Sequence, residues 1–249
     1  MQQAILVVSI GTRHLEQKRK CIDPYIDAIR RAYPNWQVYE SFTSNLLRRR
    51  IKEEGNIILS PEEILNALRR AGCQRVVIQP LFMMAGNAYQ KLLHMKFSYA
   101  PYMHITIGKP LLSETKDYQE MALALKQRYE NEDVQLLLLG HGNSAEANKV
   151  YQTLQVVAQK YLPGTLVVTV EERNKISCLP LHSKRVVIVP FMLGIGSEVL
   201  QNVFNQKEAL WCKCLEADGC QVMVEQNGIV EIECVKHIFI RHIESQINK

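Results

Sequence analysis

One stretch of this chain occurs twice. Residues 75–86 read RVVIQPLFMMAG and residues 185–196 read RVVIVPFMLGIG, with Arg, Val, Val, Ile, Pro and Gly at the same places. A fainter repeat pairs ILVVSIGT at 5–12 with LLLLGHGN at 136–143. The sequence therefore predicts two copies of one α/β unit, and we expect function where the copies differ at matched strand ends.

Short apolar runs alternate with amphipathic segments. Near-continuous Val, Ile and Leu runs are typical of parallel strands that are covered on both faces. Strands are predicted at Ala4–Ser9, Trp36–Ser41, Arg75–Pro80, His104–Ile107, Val134–Gly140, Thr165–Glu171, Arg185–Phe191 and Gln221–Glu225. Helices are predicted at 15–33, from a Ser60 capping box to Ala71, and at 87–97, 114–129, 145–161, 197–209, 207–218 and 231–247.

This alternation predicts an α/β fold. It consists of two similar doubly wound parallel-sheet, Rossmann-like halves that are related by internal duplication. The halves are predicted at 1–128 and 129–249, with a polar joint near 125–133, and the last helix is free to pack back on the N-terminal half.

Composition limits the partners. The chain has 249 residues, of which 47% are apolar, and its net charge of +5 suits an acidic small molecule but is too weak and dispersed for nucleic acid. No secretory signal or membrane-length apolar run is visible, and the seven cysteines are scattered, as in reduced proteins. We expect a cytoplasmic protein without a nucleic-acid partner, membrane partner or organic cofactor; a homo-oligomer is allowed.

In doubly wound folds, ligands bind outside the carboxyl ends of the strands. Two facing copies would make one cleft from four loops, Ser9–Thr12, Phe82–Tyr89, Gly140–Ser144 and Met192–Glu198.

His141 follows four leucines and is flanked by Gly140 and Gly142. Glycines leave the backbone free to approach a ligand, and imidazole is a metal ligand or proton acceptor near neutral pH. The alternative is a polar residue satisfied within its loop, with Asn143 or Ser144 capping the next helix.

Glu198 breaks the symmetry of the longer repeat. It stands where the first copy has Ala88, so a charge replaces a methyl group at a strand end. The alternative is a first-turn glutamate that is favoured by the helix dipole, with Gly196 or Ser197 as the cap.

Other residues suit an acidic ligand. The backbone and hydroxyls of Ser9, Gly11 and Thr12 open the first helix, and Thr43 and Ser44 lie beside Arg49, whose guanidinium can fork onto a carboxylate. Cys212, Cys214, Cys220 and Cys234 match no zinc spacing, so we interpret them as packing thiols.

Together these residues resemble the anaerobic-type sirohydrochlorin cobaltochelatases, class II tetrapyrrole chelatases related to ferrochelatase. The resemblance covers nearly the whole chain. It depends on Leu6–Thr12, Phe42–Ser44 with Arg49, Ala85–Lys91, Pro110–Ser113 with Asp117 and Tyr118, Gly140–Gly142, Glu171, and Pro190–Leu193 leading to Gly196.

The resemblance implies a chelatase-like fold that inserts a divalent metal into sirohydrochlorin in anaerobic cobalamin biosynthesis. The metal is a substrate, with Co²⁺ expected and Fe²⁺ or Ni²⁺ as alternatives. His141 is implied as metal ligand and base, with Glu198 as its partner. The implied substrate-binding residues are Ser9, Gly11, Thr12, Thr43, Ser44, Arg49, Gly86, Asn87, Ala88, Tyr89, Gly142, Asn143, Gly196 and Ser197.

Two positions depart from the family pattern. Cobaltochelatases have a second metal-binding His where this chain has Glu198, and a Glu where it has Ala88. A non-catalytic tetrapyrrole- or haem-binding protein therefore stays as an alternative.

Overall fold

A computed structural model describes residues 2–142, 145–193 and 210–248. Within these ranges the strands are β1 Gln3–Ser9, β2 Gln37–Phe42, β3 Arg75–Pro80, β4 His104–Ile107, β5 Gln135–Gly140, β6 Leu166–Thr169, β7 Arg185–Pro190 and β8 Gln221–Val224. The α-helices are α1 Leu15–Cys21, α2 Asp23–Ala32, α3 Asn45–Glu53, α4 Pro61–Arg70, α5 Asn87–Tyr99, α6 Thr115–Tyr129, α7 Ala145–Tyr161, α8 Leu210–Ala217 and α9 Glu233–Ile247. Short 3-10 helices cover Val170–Cys178 and Gly228–Glu231.

The strands form two parallel sheets of the same topology, in the orders β2-β1-β3-β4 and β6-β5-β7-β8. Their registers also agree: Val8 pairs with Pro80 in one sheet, and Leu139 pairs with Pro190 in the other. The two Pro-containing segments of the repeat thus hold the same structural place. The predicted fold class, a duplicated parallel α/β unit, is confirmed.

Apolar strand sequences place the sheets inside their helices. Leu136 is 1% exposed and Leu137, Leu138 and Leu139 are 0% exposed, as expected for a central strand covered on both faces. Each full burial of such a side chain contributes about 1.5–3 kcal/mol. The carboxyl ends of the strands are therefore held on a rigid frame.

Helix boundaries follow local chemistry. The Ser60 hydroxyl accepts the Glu63 N–H while the Glu63 carboxylate accepts the Ser60 N–H, which confirms the predicted capping box. The single helix predicted over 15–33 is wrong, because α1 and α2 are separated at Ile22. Pro24 lies in the first turn of α2, where its missing N–H is tolerated, whereas it would interrupt a continuous helix.

The strand predicted over Thr165–Glu171 ends two residues early, at Thr169. A capping box between Thr169 and Glu172 starts a 3-10 helix at Val170. Glu171 therefore lies in the 3-10 helix just past the end of β6, not in the strand.

The chain divides into two compact units, one made of Met1–Ser113 with Val235–Lys249 and the other of Glu114–Cys234. The halves predicted from the sequence have their boundary after residue 128, which would put α6 in the first half. In the structure α6 packs on α7 and belongs to the second unit. Helix α9 belongs to the first unit, where Phe239 meets the Tyr25 ring edge-on at 5.6 Å between centroids.

No helix in the described part of the chain is long and apolar enough to cross a membrane.

The Tyr33 hydroxyl fastens α9 to the first unit by donating a 3.0 Å hydrogen bond to the Ile240 carbonyl. Burial, with the negative charge of Glu244 nearby, raises the pKa of Tyr33 to about 12. Because the folded protein holds this proton more tightly than the unfolded chain, the resulting stability is present below about pH 10 and is lost as the pH rises toward 12.

We therefore expect Tyr33→Phe to lower the free energy of unfolding by about 1 kcal/mol at neutral pH, the net worth of one hydrogen bond. The difference from wild type should shrink between pH 10 and 12. Urea denaturation across that range measures it, and a difference that does not change with pH would contradict the assignment.

Candidate functional site

Both units end their central strand in the same locked loop. After β1, Gly11 has φ +99°, and a Cβ there would lie 2.4 Å from Cδ2 of Phe42. After β5, Gly142 has φ +87°, and a Cβ there would lie 3.0 Å from Cβ of Thr169. Phe42 and Thr169 hold matching places at the ends of β2 and β6. Only glycine suits these positions, so each loop has one backbone path.

His141 lies in the second of these loops with its side chain exposed. Its backbone N–H donates to the hydroxyl of Tyr151 on α7 at 3.3 Å. The register places Ile10, which is 58% exposed, at the matching place in the first unit. The two copies thus present an imidazole and an aliphatic group from the same kind of loop.

The Glu171 carboxylate lies beside the loop that carries His141. The sequence did not select Glu171 as a site residue. The Cβ position of Gly142 is 3.2 Å from Oε2 of Glu171, and the Glu171 residue is exposed. Its neighbour Glu172 is committed to the Thr169 N–H at 3.0 Å. His141 and Glu171 therefore both lie just past the carboxyl ends of neighbouring strands, β5 and β6. Imidazole and carboxylate are ligands that suit first-row divalent metals.

The substrate residues predicted after β1 and β2 do come together. The Thr43 N–H donates to the Ser9 carbonyl at 2.9 Å, and the Ser44 N–H to the Ile10 carbonyl at 3.4 Å. Two of the hydroxyls have local roles, because Thr12 Oγ1 accepts the His14 N–H and Ser44 Oγ caps α3 by accepting the Leu47 N–H.

Ser9 and Arg49 differ in what they can offer. Ser9 is 6% exposed, and its buried hydroxyl has no hydrogen-bond partner among the described residues. Arg49 is exposed on α3, one turn beyond the Ser44 cap. A guanidinium on such a surface is available to an anionic ligand, whereas the Ser9 hydroxyl is buried.

The predicted residues 86–89 form the start of α5. Gly86 is the N-cap and provides no side chain, so the first N–H groups of the helix lack a side-chain cap. Ala88 and Tyr89 are half-buried and pack against the core of the first unit, and burial raises the pKa of the Tyr89 hydroxyl. Asn87 is exposed.

Four predicted site residues, Asn143, Gly196, Ser197 and Glu198, lie outside the described residues, as does the predicted helix 197–209. Of the cysteines predicted to be packing thiols, Cys212 and Cys220 are buried in the core of the second unit with Cys214 packed against it. No disulfide joins the described residues, which include all seven cysteines.

Fold and site together define a duplicated parallel α/β protein with an exposed histidine on a glycine-locked strand end. The cobalt chelatase (CbiK) family model matches residues 3–248. The chain therefore belongs to this family, and the resemblance inferred from its sequence is confirmed.

Curated relatives match over nearly their whole length. The chain is 26% identical to the sirohydrochlorin cobaltochelatase of Salmonella typhimurium, covering 100% of this chain and 97% of the relative. It is 22% identical to the sirohydrochlorin cobaltochelatase CbiKC of Nitratidesulfovibrio vulgaris, covering 99% of this chain and 91% of the relative.

Solved structures share the fold. The sirohydrochlorin chelatase SirB from Bacillus subtilis subspecies spizizenii, in complex with cobalt, has a TM-score of 0.67 at 16% identity and covers 100% of this chain and 96% of its own. SirB from Bacillus subtilis with Fe³⁺ has a TM-score of 0.66 at 17% identity, covering 98% and 95%.

The Gly11 loop yields a stability prediction with an internal control. Gly11→Ala adds both a strained positive φ, about 1–2 kcal/mol, and an overlap with the buried Phe42 ring, about 1–3 kcal/mol more. Gly55→Ala has the strain alone, because Gly55 has φ +85° and nothing within 4 Å of its Cβ position. We expect urea denaturation to show a larger loss for Gly11→Ala, and equal losses would mean that the loop is not locked by Phe42.

Proposed function

We propose that this protein is a chelatase that inserts Co²⁺ into sirohydrochlorin, a lyase-type reaction of anaerobic cobalamin biosynthesis. The observation that carries the proposal is the exposed His141 on a locked strand end, in a chain that matches the cobalt chelatase family from end to end. The names of both full-length curated relatives support the same metal and macrocycle.

The reaction fits the chemistry of the site. A divalent metal replaces two pyrrole protons, so M²⁺ plus the free macrocycle gives the metal complex and two H⁺. A neutral imidazole at His141 provides a ligand for the incoming ion and an acceptor for the departing protons. Because the ion must leave the protein for the macrocycle, few protein ligands are needed, and a closed four-ligand site would retain it.

Glu171 is the described carboxylate that we assign to work with His141. Its Oε2 lies against Gly142, the residue after His141, and it has no hydrogen bond or ion pair among the described residues. A negative charge there favours both the cation and the protons that leave. Glu198, which the sequence pairs with His141, stays a proposed second carboxylate.

The substrate is rich in carboxylates, which the first unit is suited to bind. Arg49 is exposed and available for ion pairing. The loops after β1 and β2, which carry Gly11, Thr12, Thr43 and Ser44, are hydrogen-bonded to each other. The start of α5, with Gly86, Asn87, Ala88 and Tyr89, presents N–H groups without a side-chain cap. We propose the same substrate role for Gly142, and for Asn143, Gly196 and Ser197.

We propose that the protein acts in the cytoplasm. Its seven cysteines are scattered along the chain and form no regular disulfide framework, a usage that supports a reducing compartment. We propose no partner beyond the metal and the macrocycle.

Replacing the imidazole tests the core of the proposal. We expect His141→Ala to reduce cobalt insertion by about 10²–10⁴-fold, toward the spontaneous rate, because it removes the ligand and base. His182→Ala, a change at an exposed histidine of the same unit, is the control. Absorbance of sirohydrochlorin with Co²⁺ measures the rates, and a variant that matches the control would refute a catalytic role for His141.

A matched set of variants distinguishes the roles of the two carboxylates, Glu171 and Glu198. We expect Glu171→Gln to slow insertion by about 10-fold or more, as loss of a group that supports a metal ligand does. Glu198→Gln tests the residue chosen from the sequence, and Glu132→Gln, at an exposed position of the second unit, is the control. If Glu171→Gln behaves like the control while Glu198→Gln is slow, Glu198 alone is the partner of His141.

A further inference from the structure

We propose that Tyr151 is a positioning residue for His141, holding its backbone so that the imidazole is presented to the metal in one arrangement. This inference rests on the proposed function. Tyr151 is 5% exposed on α7, and its hydroxyl accepts the His141 N–H at 3.3 Å. It belongs to the same compact unit as His141.

The tyrosine ring explains the glycine before His141. A Cβ at Gly140 would lie 2.3 Å from Cζ, 2.5 Å from Cε1 and 2.7 Å from Oη of Tyr151. No side chain fits in that space, since real Cβ contacts are longer. Gly140 is therefore required by the ring of Tyr151, and the two residues work as a pair.

The other copy of the unit acts as a built-in comparison. Ser9 takes the place of Gly140 at the end of β1, and Ile10 takes the place of His141. A strand of this register therefore accommodates a side chain at that position. The fold does not demand the glycine; the close approach of Tyr151 does, and it occurs in the copy that presents the imidazole.

His141 is consequently held on both sides. The Tyr151 hydroxyl holds its N–H, and Gly142 is fixed by its positive φ against Thr169. Only the side-chain torsions of His141 are left to be ordered when a metal binds. Fixing a ligand in advance lowers the entropy lost on binding, and the supporting residues of metal ligands affect affinity in this way.

The hydroxyl of Tyr151 makes the hydrogen bond to His141, whereas its ring fills the space beside Gly140. A phenylalanine would fill the same ring space beneath Gly140 but would leave the His141 N–H without its acceptor. The hydroxyl is thus separable from the packing.

Tyr151→Phe tests the hydroxyl, and Tyr161→Phe, the same change on the same helix, is the control. We expect Tyr151→Phe to raise the KM for Co²⁺ by about 3–10-fold, the equivalent of one hydrogen bond, and to weaken Co²⁺ binding in the absence of macrocycle equally. The KM for sirohydrochlorin should not change. A Tyr151→Phe enzyme equal to Tyr161→Phe, or one in which both KM values rise together, would overturn the inference.

Two further measurements keep this test independent. His141→Ala at the wild-type rate would refute the proposed function, whereas a slow His141→Ala with an unaffected Tyr151→Phe refutes only the positioning role. If Tyr151→Phe does not fold, hydrogen exchange of the wild-type protein decides. We expect the His141 amide to exchange at least about tenfold more slowly than in an unfolded chain, and unprotected exchange would overturn the inference.

Discussion

Parallel pairing between the central strand and its Pro-terminated neighbour determines where the loops of each unit emerge. Val8 opposite Pro80 and Leu139 opposite Pro190 give both sheets the same register. Just past these pairs, Leu81 and Phe191 each donate a 2.7 Å hydrogen bond, to the carbonyls of Val8 and Leu139. Because a slip of one residue would turn every side chain to the opposite face, this pairing fixes which residues stand at the strand ends.

On that common frame the two copies have diverged in chemistry. The first copy carries Ser9 and Ile10 over a phenylalanine, whereas the second carries Gly140 and His141 over Thr169 and Tyr151. At the position just past the central strand, Ile10 in one copy and His141 in the other present different chemistry from a backbone of the same register. The family model covers both copies, from residue 3 to residue 248.

The sequence predicted the fold well because its strands are continuous apolar runs and its repeat is long. It also placed His141 just past a buried strand, where the structure has it exposed, and the role of His141 at a site stays a prediction. It named Glu171 only among the residues of the family resemblance and gave it no site role, because the predicted strand ran through Glu171 and the Thr169–Glu172 capping box was not recognised. The contact between Gly140 and Tyr151 depends on how α7 packs against β5. The sequence around either residue does not reveal that packing.

Helix α9 makes the first unit discontinuous along the chain. Residues 235–249 complete a unit that otherwise ends at Ser113, and Tyr25 and Tyr33 have their α9 partners in that segment. On the ribosome the order of synthesis and the order of completion therefore differ. The unit whose synthesis starts first can be completed only after its last segment, 235–249, has been made, whereas the whole sequence of the uninterrupted unit that carries His141 is available earlier.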